Sequence, residues 1–305
     1  MDRTSIEQLE AIKNHLRQTS TYENKSAEQI RQEMSVNAAL FPKPSDVHIQ
    51  QAAIEHLKAE WITPVNLDPD HDNKLILYFH GGGFIAGTSE FYRDLCTRIA
   101  KTSGVKVLIV EYRLAPEHPY PAANEDCLTS YRWLLQNGYS APNIVFGGDS
   151  VGASLVLMTM ISLRDYAEEL PAGAFLLSPH TDLVHLDGES YSSRAGLDPT
   201  GSLKGNKKIL EAYLGDNKKT SDMAILSPLR RNLDGLPHLF IQVGDHEVLL
   251  SDSLRLEEKA KSAGVEVTLE VWENMWSVFQ MLAYMLPEAN HAIANISQFV
   301  QSKLN

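Results

Sequence analysis

Residues 148–152 read Gly-Asp-Ser-Val-Gly, between the strand-like run NIVFGG and an apolar stretch that begins near Ala153. A serine enclosed by glycines at a strand-to-helix junction constrains the fold strongly. The turn is too sharp for side chains at its shoulders, and Gly148 and Gly152 supply none, so the Ser150 hydroxyl stands above the strand ends. Alone, GxSxG is as often an ordinary turn. In this strand-turn-helix setting it marks Ser150 as a candidate nucleophile.

The flanking pattern agrees with such a junction. Continuous apolar runs at KLILYFH, VKVLIVEY, NIVFGG, AFLLSP, HLFIQVG and VEVTLEVW read as buried strands, while VHIQQ and EWITPV alternate as edge strands do. Helical spacing separates them at Phe91 to Thr102, Asn124 to Gln136 and Ala153 to Arg164. Alternation of this kind predicts an α/β fold with an open, mostly parallel sheet covered on both faces. Before the sheet, Ser5 with Gln8 and Ser26 with Gln29 form capping-box patterns, opening amphipathic helices that carry Ile6, Leu9 and Leu16, then Ile30 and Met34. Residues 1–45 are thus read as N-terminal cap helices and 46–305 as the main domain. Residues 185–222 interrupt the alternation with polar, Gly-bearing sequence around KKILEAYL. This is expected to be a cap insertion above the sheet, a long surface loop being the plain alternative.

Bulk properties exclude several partners. The chain has 305 residues, 43% of them hydrophobic, which is enough for a sizeable core. With 27 Lys and Arg against 39 Asp and Glu, the formal charge of −12 argues against nucleic acid or an anionic membrane. The polar N-terminus carries no apolar run suited to a signal or membrane span, so a cytoplasmic location is expected. Cys96 and Cys127 have no metal-ligand spacing and are read as core thiols, and no metal site is expected.

A second glycine cluster follows KLILYFH as His80-Gly81-Gly82-Gly83-Phe84. Glycines at a strand end let backbone N–H groups converge on an anionic oxygen, so Gly82 and Gly83, with Val151 after the serine, are the candidate oxyanion donors. A phosphate loop would need Lys-Ser/Thr or GxGxxG, and neither is present. His80 is read as orienting the loop rather than as a base.

At this point the sequence resembles the hormone-sensitive-lipase-like group of α/β-hydrolase esterases, with microbial acetyl-esterase-like members most similar. The resemblance rests on HGGGF, YRLAPEHPYPAANED, GGDSVG and SPL followed by LPHLFIQVGDHEVLLSDS, in family order through residues 74–254. It implies the α/β-hydrolase fold with a helical cap, hydrolysis of short-acyl esters through a Ser150 acyl-enzyme, and no cofactor. It also implies a Ser, acid, His order along the chain. The family's acid-x-Leu pattern falls on Glu247-Val248-Leu249, where most members have Asp; Asp245 is the alternative acid, and Asp252 a secondary loop residue. A homodimer through an edge strand occurs in the family.

The same register places the histidine at the corner ENMWSVF, where this chain has Ser277. A serine hydroxyl has no useful basicity near neutral pH and cannot relay the proton that the mechanism requires. No other histidine substitutes convincingly. His291 sits off the buried stripe of its helix, His246 is expected to point away from the acid, His180 and His185 at most line the pocket, and His118 matches a structural motif. Two accounts of Ser277 follow: a histidine replaced in an otherwise intact and now impaired esterase, or a hydrolase-like protein that binds a small ligand without turnover. Plant hormone receptors on this scaffold, which keep the serine and lose the histidine, show by resemblance that the second occurs. Phe84, Trp276 and Phe279 are candidate pocket walls, with ordinary core as the equal alternative.

Overall fold

The computed structural model describes residues 3–19, 22–216 and 221–304, so residues 217–220 of the expected insertion lie outside the described residues. Two helices lead, α1 (Ile6–Thr19) and α2 (Ala27–Ala38), both opened by the reciprocal capping bonds of Ser5 with Gln8 and Ser26 with Gln29. The hairpin β1 (Val47–Ile54) and β2 (Leu57–Pro64) follows. Strands and helices then alternate: β3 (Leu75–Phe79), α3 (Ser89–Ser103), β4 (Lys106–Glu111), α4 (Ala122–Gln136), β5 (Ile144–Asp149), α5 (Val151–Asp165) and β6 (Gly173–Leu177). After β6 come α6 (Ser190–Ser193) and α7 (Leu203–Leu214), then β7 (Leu239–Gly244), α8 (Leu250–Ser262), β8 (Val267–Trp272) and α9 (Pro287–Leu304).

These strands form one eight-stranded sheet in the order β1-β2-β4-β3-β5-β6-β7-β8. β2 is antiparallel to β1 and β4, and every pair from β4 onward is parallel. This is the expected α/β-hydrolase fold with a mostly parallel sheet. The strand period sorts the apolar side chains into two layers. Leu75, Leu77 and Phe79 of β3 join the core with α4, α5 and α8, whereas Ile76 and Tyr78 face α3 and α9.

Two strand assignments are corrected. EWITPV is interior, because β2 pairs on both sides; its alternation reflects uneven cover of its two faces, not an open edge. VEVTLEVW is the far edge strand and not a buried one: β8 pairs only with β7, and Thr268 and Val271 are exposed. Asp252, expected on a loop, lies in the first turn of α8 and is buried. Among the described residues no helix is long and apolar enough to cross a membrane.

The topology places the carboxyl ends of β3, β5, β6, β7 and β8 along one side of the sheet, where open parallel sheets bind ligands. The glycine loop, Ser150, Ser178, Glu247 and Ser277 follow those ends in turn.

Candidate active site

Ser150 caps α5 with φ 51° and ψ −119°, a left-handed conformation that a non-glycine residue adopts only when its surroundings impose it. The surroundings here are tight. A Cβ on Gly152 would lie 2.1 Å from the Phe79 carbonyl oxygen and 2.5 Å from that of His80, and one on Gly148 would meet the Gly152 backbone at 2.7 Å. The two glycines therefore let α5 start directly against the end of β3. The Ser150 N–H donates to Leu177 O at 2.8 Å, which fixes the turn to β6.

The glycine loop is tied to this turn by Asp149. Its Oδ1 accepts from Gly81 N–H at 2.8 Å and from the Tyr78 hydroxyl at 2.9 Å, and its Oδ2 from the Tyr92 hydroxyl at 3.1 Å. Burial pushes the Asp149 carboxyl up to about 6, against the pull of these donors. Sequence reasoning missed this residue, although it is the variable position of GxSxG next to the serine. Within the loop, Gly82 has φ 106° and its carbonyl accepts from Ile85 and Ala86, while no acceptor among the described residues takes the N–H of Gly82 or Gly83. Val151 opens α5, where a helix leaves its first N–H groups unused. The N–H groups of Gly82, Gly83 and Val151 thus remain without a described acceptor.

His80 is buried and stacked between Tyr112 and Tyr92, with ring centroids 4.4 and 5.4 Å away. Its Nδ1 lies 2.7 Å from Gly81 O, and burial drives the imidazole down to about 4. It is a neutral brace for the loop.

Glu247 lies in the turn between β7 and α8 and is fully buried. Its Oε1 accepts from the Ser178 hydroxyl at 3.0 Å and from the Gly244 N–H. The Ser178 Oγ in turn accepts from the Val278 N–H at 2.9 Å, joining the acid turn to the 277 corner. Burial, and then the charge of Asp198, raise the Glu247 carboxyl to about 8. The Gly244 N–H, the Ser178 hydroxyl and then the Ser277 hydroxyl pull it down, and Oε2 has no partner of hydrogen-bond geometry. Asp245, the alternative acid, is half-buried and receives the Asn274 N–H at 2.6 Å, so it shapes the preceding corner. Asp252 accepts from the Thr181 and Asp182 N–H groups, beneath the site rather than in it.

No described histidine is hydrogen-bonded to Glu247. His246 Nδ1 meets the buried Lys13 Nζ of α1 at 2.9 Å. His180 is buried with Nε2 3.1 Å from the Tyr191 hydroxyl, and desolvation takes it down to about 4. His185 pairs with Asp182 at 2.8 Å, and His291 is half-buried on α9.

Of the three aromatic wall candidates, Phe84 stacks on Tyr213 of α7 with centroids 3.8 Å apart, and its φ is 59°. Trp276 and Phe279 are buried in the core layer with α3 and α9, so they are core rather than wall. The side chain that the sequence did not single out is Ile209 of α7, which lies against Gly83: a Cβ there would be 3.0 Å from it. On the other flank, Arg31 of α2 donates to Ile85 O at 2.7 Å and Ala115 O at 2.9 Å. A cleft of about 300 Å³ opens on the α7 side, lined by Arg17 of α1, Tyr22, Asp198, Asn206 and Ile209 among others; Ser150, Glu247 and Ser277 are not part of its lining.

Comparison with known proteins follows this geometry. A family model described as alpha/beta hydrolase fold matches residues 76–281. An esterase of Acinetobacter venetianus is 36% identical over 263 residues, covering 86% of this chain and 85% of its own length. An acetyl-hydrolase of Streptomyces hygroscopicus is 35% identical over 259 residues, covering 85% and 83%. Among solved structures, an esterase from the bacterial hormone-sensitive lipase family superposes with a TM-score of 0.92 at 36% identity, covering 99% of this chain and 100% of that one.

Proposed function

Because the chain belongs to the hormone-sensitive-lipase-like esterases of the α/β-hydrolase fold, we propose that it is a carboxylic ester hydrolase scaffold in which Ser150 is the nucleophile and proton transfer is impaired. The observation that carries this reading is the Ser150 turn, held in a left-handed conformation beside a glycine loop with unused N–H donors. Strain of this kind costs about 1–3 kcal/mol and concentrates at working sites.

In the proposed scheme Ser150 Oγ attacks the ester carbonyl, and the N–H groups of Gly82, Gly83 and Val151 stabilise the oxyanion. The described parts of residues 1–45 and 185–222 form the cap, with α2 contacting the glycine loop through Arg31 and α7 through Ile209. Short-acyl esters are the proposed substrates, with Phe84 stacked on Tyr213, and Ile209 against Gly83, narrowing the space beside the glycine loop. Glu247 is the acid that would orient an imidazole at 277. With serine there, neither proton removal from Ser150 nor protonation of the leaving group has a base of suitable strength.

Replacing Ser277 by His and assaying a p-nitrophenyl ester tests the reading. A gain in kcat of roughly a thousandfold or more is expected; no gain overturns the assignment of position 277. One observation favours a second reading, a small-ligand-binding protein: no described histidine is hydrogen-bonded to Glu247, while the N–H groups of Gly82 and Gly83 stay without a described acceptor. That reading requires saturable binding with no turnover even in the Ser277→His variant.

A further inference from the structure

We propose that the 277 corner, with Glu247 behind it, is a binding site for a small nitrogen heterocycle of imidazole type, which supplies the proton acceptor that the chain itself lacks. The inference rests on the reading of Ser150 and Glu247 above.

Glu247 presents two unlike oxygens. Oε1 is engaged by Ser178 and Gly244, whereas Oε2 is buried without a partner of hydrogen-bond geometry, and the Ser277 hydroxyl is the side chain at this corner that acts on the carboxyl and that a ligand would displace. A buried acceptor left in that state gains strongly from an N–H donor. The corner facing it is fixed on both sides. His246 N–H donates to Met275 O at 3.0 Å, Phe279 N–H to Trp276 O at 3.2 Å and Val278 N–H to Ser178 Oγ at 2.9 Å. A Cβ on Gly244 would lie 2.2 Å from Met275 O, so this backbone already sits against the end of β7. A corner held this way does not collapse onto Glu247 around a small side chain. Ser277 itself is half-buried, so its side chain is in part reached from solvent.

The ligand must donate an N–H to Oε2 and offer a lone pair on the opposite side of the ring. Imidazole meets both demands; N-methylimidazole, of similar basicity, has no N–H. With imidazole bound, the Ser150 Oγ–H proton passes to the free ring nitrogen as Oγ bonds to the carbonyl carbon. The tetrahedral oxyanion then collapses, the bond to the leaving oxygen breaks, and the ring returns that proton to it. Water, giving its proton to the ring, cleaves the acyl-enzyme, and the ring passes that proton back to Ser150 Oγ, so it is neither consumed nor altered.

The test is hydrolysis of p-nitrophenyl butyrate by the unaltered chain at about pH 8.5 with increasing imidazole, after subtraction of the same series with Ser150→Ala. A saturable gain of roughly tenfold or more is expected, absent with N-methylimidazole and strongly reduced in Glu247→Gln. Thermal stabilisation by imidazole of the Ser150→Ala chain, lost on adding Glu247→Gln, gives a readout independent of turnover. Equal gains with both heterocycles, or a gain that does not saturate, overturn the proposal. If Ser277→His is active and imidazole does nothing, the proposal fails and the esterase reading stands. If Ser277→His is itself inactive in a folded protein, the esterase reading fails and takes the proposal with it.

Discussion

Ser178 donates its hydroxyl to Glu247 Oε1 at 3.0 Å and accepts the Val278 N–H at 2.9 Å, so one side chain sets the distance between the acid turn and the 277 corner. Its own φ of 46° indicates that the chain is held in place for this contact. In a Ser277→His background, Ser178→Ala should lower kcat roughly tenfold with little change in KM, the loss of about one hydrogen bond to a charged group. Steady-state kinetics beside a melting curve checks this; a lower Tm with unchanged kcat would show Ser178 to be structural only.

The approach of α5 to β3 gives a steric prediction. Gly152→Ala drives a methyl group to 2.1 Å from a backbone oxygen that has no freedom to retreat. It should cost more than about 3 kcal/mol, by the overpacking logic of a closely packed interior. Gly196→Ala, with nothing within 4 Å, should change stability by less than about 0.5 kcal/mol. Urea titration of the two variants compares them directly.

Asp149 gathers three donors from β3, α3 and the glycine loop. Asp149→Ala leaves the Tyr78 and Tyr92 hydroxyls and the Gly81 N–H buried without an acceptor, at about 1–3 kcal/mol each before relaxation. The expected loss is about 3 kcal/mol in all, with any Ser150-dependent hydrolysis falling further than Tm alone explains. Asp149→Asn, which keeps an acceptor oxygen, should recover most of the stability.

Glu247 predicts a pH dependence of stability. Its folded value of about 8 lies above the ordinary 4.5, so between these values the folded chain holds a proton that the unfolded chain releases. Stability should therefore fall as pH rises through this window, by at most about 1.4 kcal/mol per unit from this group, and the penalty is complete above the folded value. Glu247→Gln removes that slope. The Tm difference between variant and unaltered chain should favour the variant by pH 8.5 and shrink toward pH 5. A difference that is constant with pH would mean that Glu247 is ionised throughout.

How much of this was legible in the sequence depends on how far each constraint reaches along the chain. The Ser150 turn and the HGGGF loop are local, and a few glycines at fixed spacing disclose them. The exposure of a strand's faces is also local, but its neighbours are not. That is why EWITPV read as an edge while lying between two strands, and why VEVTLEVW read as interior. Asp245 and Glu247 differ by two positions in sequence, yet burial separates them sharply, the first shaping the 274 corner and the second facing Ser178. Ser178 and Asp198 act on residues about 50 to 100 positions away and carry no motif of their own. Trp276 and Phe279 show the same limit: an aromatic beside a site motif does not disclose which layer its ring enters.

The order of strands in the sheet separates two kinds of work. The glycine loop and Ser150 follow the neighbouring central strands β3 and β5, while Glu247 and the 277 corner follow β7 and β8 at the far side. A substitution confined to the outermost corner therefore leaves the central strand ends, with the glycine loop and the Ser150 turn, untouched. On the proposed reading, catalyst and ligand-binding protein differ on this scaffold by the one side chain at position 277.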